Sequence, residues 1–274
     1  MRSFLLRLCR IGLIPEAIWK RIPVSGTFDV ALPDGTMFRY HAVRNDQIGR
    51  RLFWGGIDAF EPETVNEYFA RARQASLVLD IGANTGLYAV LACRANPEST
   101  VFAVEPVPRI NALLRGNIAL NQLEERCHSF AAAVTDYVGA AQFHVPFGDV
   151  PTSASLEPTG FRGNDGKLVS VDAITVDSLV SGLGRVDLVK IDVEGFEDRV
   201  LKGMTHTLAE YCPTIIVECN PDGPIQEIES ILTTFDYRFF HIRGDGSAPI
   251  SHITPDSTER FRNILCIHSS RSVE

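Results

Sequence analysis

The chain has 274 residues, 45% of them hydrophobic and 22% charged, enough apolar material for one large α/β domain with short additions and too much for general disorder. The formal net charge is −8, which repels phosphate backbones and excludes nucleic acid as a first substrate class. The six cysteines, at positions 9, 93, 127, 212, 219 and 266, form no C-x-x-C pair and no zinc-finger spacing, so reduced core thiols in a cytoplasmic protein are expected.

The first 15 residues are apolar but broken by Arg2, Arg7 and Arg10, which leaves neither a membrane span nor an unbroken secretory core. Phe4, Leu5, Leu8 and Ile11 share one face of a basic helix, a pattern that fits packing on the main domain or a weak membrane-surface contact. Residues 26–32 and 37–43 are β-rich runs around the turn Pro33-Asp34-Gly35-Thr36, which predicts a hairpin. Residues 61–73 read as a helix with Pro62 in its first turn. From residue 77 strands and helices alternate. The apolar runs predict strands at 77–81, 100–104, 129–134, 141–145, 168–176, 186–193, 214–219, 238–242 and 264–268. Helical spacing predicts helices at 86–94, 108–121, 196–211 and 225–235. This order implies an α/β fold, a mostly parallel sheet with helices on both faces. Residues 77–274 form the main domain and residues 1–76 a small α+β extension packed on it. Two polar, turn-rich stretches, 147–166 and 243–259, are expected to be substrate-binding loops over the sheet. Trp19 and Trp54 are expected to be core anchors.

The strongest chemical signal is Val78-Leu79-Asp80-Ile81-Gly82-Ala83-Asn84-Thr85-Gly86. An apolar strand runs into a glycine-rich turn, and a helix follows at once. Glycines let the backbone approach a ligand, and the helix N-terminus offers free N–H groups. The pattern is D-x-G-x-N-x-G rather than the G-x-G-x-x-G of a pyrophosphate site. An aspartate at the strand end suits a ligand with a cationic amino group, such as the amino acid end of S-adenosylmethionine. Glu105 ends the next strand, where an acidic side chain accepts hydrogen bonds from ribose hydroxyls.

A second cluster is Val189-Lys190-Ile191-Asp192-Val193-Glu194-Gly195-Phe196-Glu197. Asp192 and Glu194 follow a strand whose end should open into the same crevice, and Glu218 and Asn220 end the following strand. Such acids can act as a general base, as an acceptor clamp or as oxygen ligands for Mg²⁺ or Ca²⁺. Asp192, Glu194 and Glu218 are assigned to the acceptor, and no metal is assigned. His144 is the best-placed histidine but stays outside the assignment, because a lone strand histidine is more often structural.

Together these residues resemble the FkbM-type methyltransferases. The likeness is carried by Glu61-Pro62-Glu63-Thr64, by residues 79–88, 103–108, 131–134 and 174–179 (ITVDSL), by 189–203 with its KIDVEGFE, and by 217–219. It covers about residues 61–220, and its specificity lies in the order and spacing of the motifs. The resemblance implies a class I methyltransferase sheet of Rossmann-like type and S-adenosylmethionine as donor. It also implies O-methylation of a hydroxyl on a sugar, glycan or natural product. By position, Asp80, Gly82, Asn84 and Gly86 would take the methionine part, Glu105 the ribose, Ala132 and Ala133 the adenine edge, and Glu61 the methionine end. Two alternatives stand beside it. An NAD-dependent or nucleotide-sugar oxidoreductase would need the missing G-x-G-x-x-G. A non-catalytic cofactor-binding or scaffold protein would not need Asp80, Glu105 and Asp192 all intact.

Overall fold

The turn at 33–36 closes a hairpin of β1 (Gly26–Ala31) and β2 (Met37–Ala42), in which Asp34 Oδ1 accepts from the Thr36 amide and hydroxyl. The structure is a computed structural model that describes residue 9 and residues 13–146, 166–244, 246–254 and 261–271. A one-turn helix α1 (Glu16–Trp19) precedes the hairpin, and α2 (Gln47–Gly55) and α3 (Pro62–Ala72) follow it. The sequence reading did not foresee α2. Its start is fixed by Asp46, whose side chain accepts from the Gly49 amide at 2.8 Å, a standard N-cap arrangement.

The alternating region then lays down β3 (Leu77–Ile81), α4 (Leu87–Ala95), β4 (Thr100–Val104), α5 (Pro108–Leu120) and β5 (Cys127–Phe130). The chain leaves this sheet at Ala131, and β6 (Ala132–Val134) pairs instead with β8 (Gly166–Ile174), which also pairs with β7 (Gly139–Pro146). The single strand expected at 129–134 is thus two strands in two sheets. After α6 (Val176–Leu179), capped by Thr175, come β9 (Leu188–Ile191), α7 (Glu197–Lys202), α8 (Thr205–Tyr211) and β10 (Thr214–Glu218). The helix expected over 196–211 breaks at Gly203, where any Cβ would meet the Thr135 carbonyl oxygen at 2.1 Å. The chain ends with α9 (Ile225–Thr234), β11 (Tyr237–Arg243), β12 (Gly246–Ile250) and β13 (Asn263–His268). β12 lies inside the stretch expected to be a loop over 243–259, so part of that stretch is sheet edge. The face formed by Phe4, Leu5, Leu8 and Ile11 and the loop residues 147–165 lie outside the described residues.

The large sheet has the order β12-β11-β13-β10-β9-β3-β4-β5. β10, β9, β3, β4 and β5 run parallel, while β13, β11 and β12 are antiparallel additions. It is a mixed α/β fold with a central sheet. Every residue of β3, β9 and β10 is buried, as parallel strands covered on both faces require.

Side chains alternate between the two faces. Val78, Leu188, Ile216 and Leu265 point to one face and join Trp19, Phe38, Tyr40, Leu52 and Trp54 in a single apolar cluster. Leu79, Val189, Ile215 and Cys266 point to the other and meet Leu201, Leu208, Ile228 and Leu232 of α7–α9. The N-terminal elements therefore bury one face of the sheet together with α4 and α5. All six cysteines are free. No helix among the described residues is long and apolar enough to cross a membrane.

Candidate active site

The C-terminal ends of β3, β4, β9 and β10 open on a cavity of about 880 Å³. This is where the chain leaves each parallel strand for its helix and where open α/β sheets bind ligands. Gly82, Asn84 and Glu105 form part of its wall. Gly82 has φ +82°, and a Cβ there would stand 1.8 Å from the main-chain oxygen of Asp192. The glycine thus lets the end of β3 pass the segment after β9. The amides of Gly82 and Ala83 both donate to Val104 O, at 2.9 and 3.0 Å, so they are spent inside the protein. Gly86 begins α4 at φ +91°, and a Cβ there would meet Leu114 Cδ1 at 2.5 Å, which makes its requirement one of helix packing.

Asn84 adopts the left-handed region at φ +48°, which asparagine tolerates. Its amide donates to Glu105 Oε2 at 3.1 Å, and the Val107 amide donates to Glu105 Oε1 at 2.9 Å. The Glu105 carboxyl is thereby fixed at both oxygens. Burial pushes its pKa up to about 7. Ala132 and Ala133 of β6 line the cavity as well, with Phe143 of β7 beside them.

Asp80 and Gly86 are not brought into the lining. Asp80 is 1% exposed and keeps Oδ2 without a hydrogen-bond partner. Burial pushes its pKa up to about 7 against the pull of Lys190. It stands behind the turn and not at the cavity surface.

The acids sit on one face of the sheet by strand parity. Asp80 pairs in register with Lys190, and Glu218 with Asn263. Lys190 and Asp192 are two residues apart, which returns both to that face. Lys190 Nζ lies 3.0 Å from Asp192 Oδ2 and 4.9 Å from the centre of the Tyr88 ring. Asp192, Glu194 and Glu218 each place a carboxylate oxygen within 4.8 Å of the others, and all three line the cavity. This is an oxygen set of the kind hard cations take, and the Lys190 ammonium is ion-paired with one member of it, Asp192.

Burial tends to raise the Asp192 pKa, but Lys190 and a hydrogen bond with Glu218 outweigh it and hold Asp192 below the usual carboxylate range. Glu218 moves the other way, pushed well up by burial and by the Asp192 charge. The two carboxyls divide into a charged and a protonated partner, as close pairs do. Glu194 is exposed at φ +56°. Glu197, and not Glu194, holds the loop, accepting from the Val193 and Gly195 amides at 3.3 and 3.1 Å. Glu61 lines the cavity too, its Oε2 accepting from Tyr88 Oη at 3.0 Å and from Asn263 Nδ2 at 3.2 Å.

The sequence reading missed Lys190, Tyr88 and Asn263 as members of the site. For Lys190 a signal existed, a lone charge inside the otherwise apolar strand LVKI. Tyr88 and Asn263 read as ordinary core positions, and only the fold brings them to Glu61. His144 belongs to β7, and its side chain lies outside the described residues.

A model of the methyltransferase FkbM domain matches residues 80–239, more than half of the chain. The methyltransferase sdnD of Sordaria araneosa is 28% identical over 185 residues, which are 57% of this chain and 71% of that protein. The 31-O-demethyl-FK506 methyltransferase FkbM of Streptomyces tacrolimicus is 26% identical over 188 residues, 58% and 72% of the two chains. The 2-O-methyltransferase NoeI of Sinorhizobium fredii is 31% identical over 148 residues, 49% and 59%. The matched span begins at Asp80 and takes in the glycine-rich turn, Glu105 and the acid cluster, and on that match the chain belongs to the FkbM family of methyltransferases.

Proposed function

We propose that the chain transfers the methyl group of S-adenosylmethionine to a hydroxyl oxygen of a small-molecule or glycan acceptor. The observation that carries this reading is one cavity holding two different carboxyl environments. Glu105 is locked by two amides beside the glycine-rich turn, and Asp192 is paired with a buried ammonium at the next strand ends.

The donor set fits the proposed donor. Glu105 is a fixed acceptor for ribose hydroxyls. Ala132 and Ala133 are small enough to leave room for a flat ring. Glu61 supplies negative charge for an ammonium group, and Asp80 acts through the turn it supports. When bound, S-adenosylmethionine supplies an activated methyl group on a positively charged sulfonium, which suits a cavity rich in acids. The protein's own share is alignment and proton removal. Alignment replaces a bimolecular encounter with a held geometry. An alcohol is a weak nucleophile near neutral pH and gains from a base. Asp192, charged and at the cavity wall, accepts the proton, while Glu218 keeps its own proton and donates to Asp192. Glu194, exposed beside them, contacts the acceptor. The names of two relatives place the methyl on oxygen, in a 31-O and a 2-O position, and this supports oxygen as the target here.

Calorimetry with S-adenosylmethionine, S-adenosylhomocysteine and NAD tests the donor. The first two should bind and NAD far more weakly; tight NAD binding without sulfonium binding overturns the proposal. Methyl transfer from labelled donor into a cell extract, followed by identification of the product, tests the acceptor. A methyl ether is expected, and a methylated nitrogen or carbon would contradict the choice of oxygen. Asp192→Asn should keep donor affinity and lower kcat on the order of 10²–10⁴-fold.

A further inference from the structure

β9 lies between β3 and β10, and the side chain of its Lys190 is 1% exposed. Packing alone would be served by a leucine or methionine, like the apolar neighbours of the strand. A buried ammonium carries a desolvation penalty of several kcal/mol unless its donors are met. One donor is met by Asp192 Oδ2 at 3.0 Å, and the Tyr88 ring faces the ammonium at 4.9 Å. Tyr88 is in turn fixed by its hydroxyl bond to Glu61. The lysine stem thus runs along the face of the sheet beneath α4 and delivers its charge to the end of the same strand.

We propose that Lys190 is a positioning residue for the reaction: held between the Tyr88 ring and Asp192, its ammonium fixes the Asp192 carboxylate at the cavity wall and keeps it the charged member of the acid cluster. The inference rests on the reading above that Asp192 receives the acceptor's proton. In that step the acceptor O–H bond breaks, the proton moves to an Asp192 oxygen, and the bonding pair stays on the acceptor oxygen. A carboxyl already protonated cannot do this, so the order in which neighbouring acids hold protons matters.

Those neighbours come from every element around Asp192. Glu218 belongs to β10, Glu194 to the segment leading into α7, Glu197 to the start of α7, and Asp80 to β3. Glu61 precedes α3, Glu105 follows β4, and Tyr88 belongs to α4. The other cation acting on Asp192 is Arg262, just before β13, which also bonds Asn220 at 2.9 Å. With Lys190 neutralised, the largest influence opposing burial is gone, only Arg262 and the Glu218 hydrogen bond still favour the charged form, and the proton affinity of Asp192 rises.

The test is a carboxyl-carbon NMR titration of the full chain labelled at aspartate, with the Asp192 signal assigned by its loss in Asp192→Asn. In the unmutated protein the Asp192 carboxyl should remain charged from about pH 5 to about pH 9. Lys190→Met should raise its midpoint by about one pH unit or more, a tenfold gain in proton affinity, and Lys190→Arg should keep it low. An unmoved midpoint in Lys190→Met overturns the proposal, as does an Asp192 already protonated at neutral pH in the unmutated chain. A lysine with only a structural role would lower the melting temperature and leave the midpoint in place. If Lys190→Met does not fold, the unmutated protein and Lys190→Arg still decide, since in both the Asp192 midpoint must lie below the ordinary aspartate value of about 3.9, and a midpoint at or above it overturns the proposal. Failure of the functional reading looks different. There Asp192→Asn would keep full kcat, whatever the titration shows.

Discussion

A methyl group on Gly82 would occupy the position of the Asp192 main-chain oxygen, 1.8 Å away. Gly82→Ala therefore adds a steric collision to the cost of a left-handed backbone, about 2–5 kcal/mol in all. Gly195 is a built-in control, because it has φ +97° and open space around it. Gly195→Ala should cost only the backbone part, about 1–2 kcal/mol. Urea unfolding of both variants checks this, and equal losses would show that the close approach of the two strand ends is not what demands Gly82. Glu105 and Asp80 make a second contrast. Burial pushes both to about 7, but Glu105 faces the cavity, whereas Asp80 is behind the turn. Glu105→Ala should weaken S-adenosylhomocysteine binding by about 1–3 kcal/mol, the cost of leaving ribose hydroxyls without their acceptor. Asp80→Asn, which keeps the shape, should weaken it less. Calorimetry giving the reverse order would move the ammonium contact back to Asp80.

At the scale of elements, the glycine-rich turn is clamped from the N-terminal side. Tyr40 of β2 donates to Asp46 Oδ2 at 3.0 Å and shares a short hydrogen bond with Thr85 Oγ1 inside the turn. On α5, Asn117 accepts from the His41 amide and donates to Thr85 O, at 2.8 and 2.9 Å. Asn121, one helical turn on, accepts from the Arg39 amide and donates to Arg39 O, at 2.9 and 2.7 Å. The hairpin edge is thus paired by side chains in place of another strand. Tyr40→Phe leaves two buried polar groups short of a partner and should lower stability by about 1–3 kcal/mol. Thermal unfolding measures it, and a loss within error would mean that the buried Asp46 finds another donor.

None of this clamp was legible in the sequence. The clamp joins residues far apart in the chain, and α2 itself was hidden by Gly49, Gly55 and two arginines in a nine-residue helix. β3, β4 and β10 were legible because a strand buried on both faces reads as an apolar run. The passage of residues 127–134 from one sheet to the other was not, because periodicity shows a strand but not its partner. β12 carries Pro249, which argues against a strand in the middle of a sheet but is tolerated at its edge. The acid cluster was readable from its place at the strand ends and in the motif. The pairing of Lys190 with Tyr88 required α4 to be laid on the sheet.

Over the whole molecule, the concentration of buried carboxyls links stability to pH in an unusual direction. Asp80, Glu105 and Glu197 are each pushed up to about 7, Glu194 to about 8 and Glu218 to about 10, in every case chiefly by burial. In the unfolded chain the same groups release their protons at about pH 4. From about pH 4 to beyond about pH 7 the folded state therefore binds more protons than the unfolded state, and stability falls as pH rises through that window. Asp192, held low, works in the opposite sense, but its contribution is lost only in more acid solution. The ligand-free protein should accordingly melt at a lower temperature at about pH 8 than at about pH 5.5, by a difference on the order of 5 °C for a few kcal/mol in a chain of this size. Glu105→Gln removes one of these titrating groups and should flatten the slope, even if it shifts the curve as a whole. Thermal unfolding across that range without ligand is the measurement. A melting temperature that rises with pH would show that these carboxyls ionise normally in the folded protein, and with them the electrostatic account of the cavity would fall.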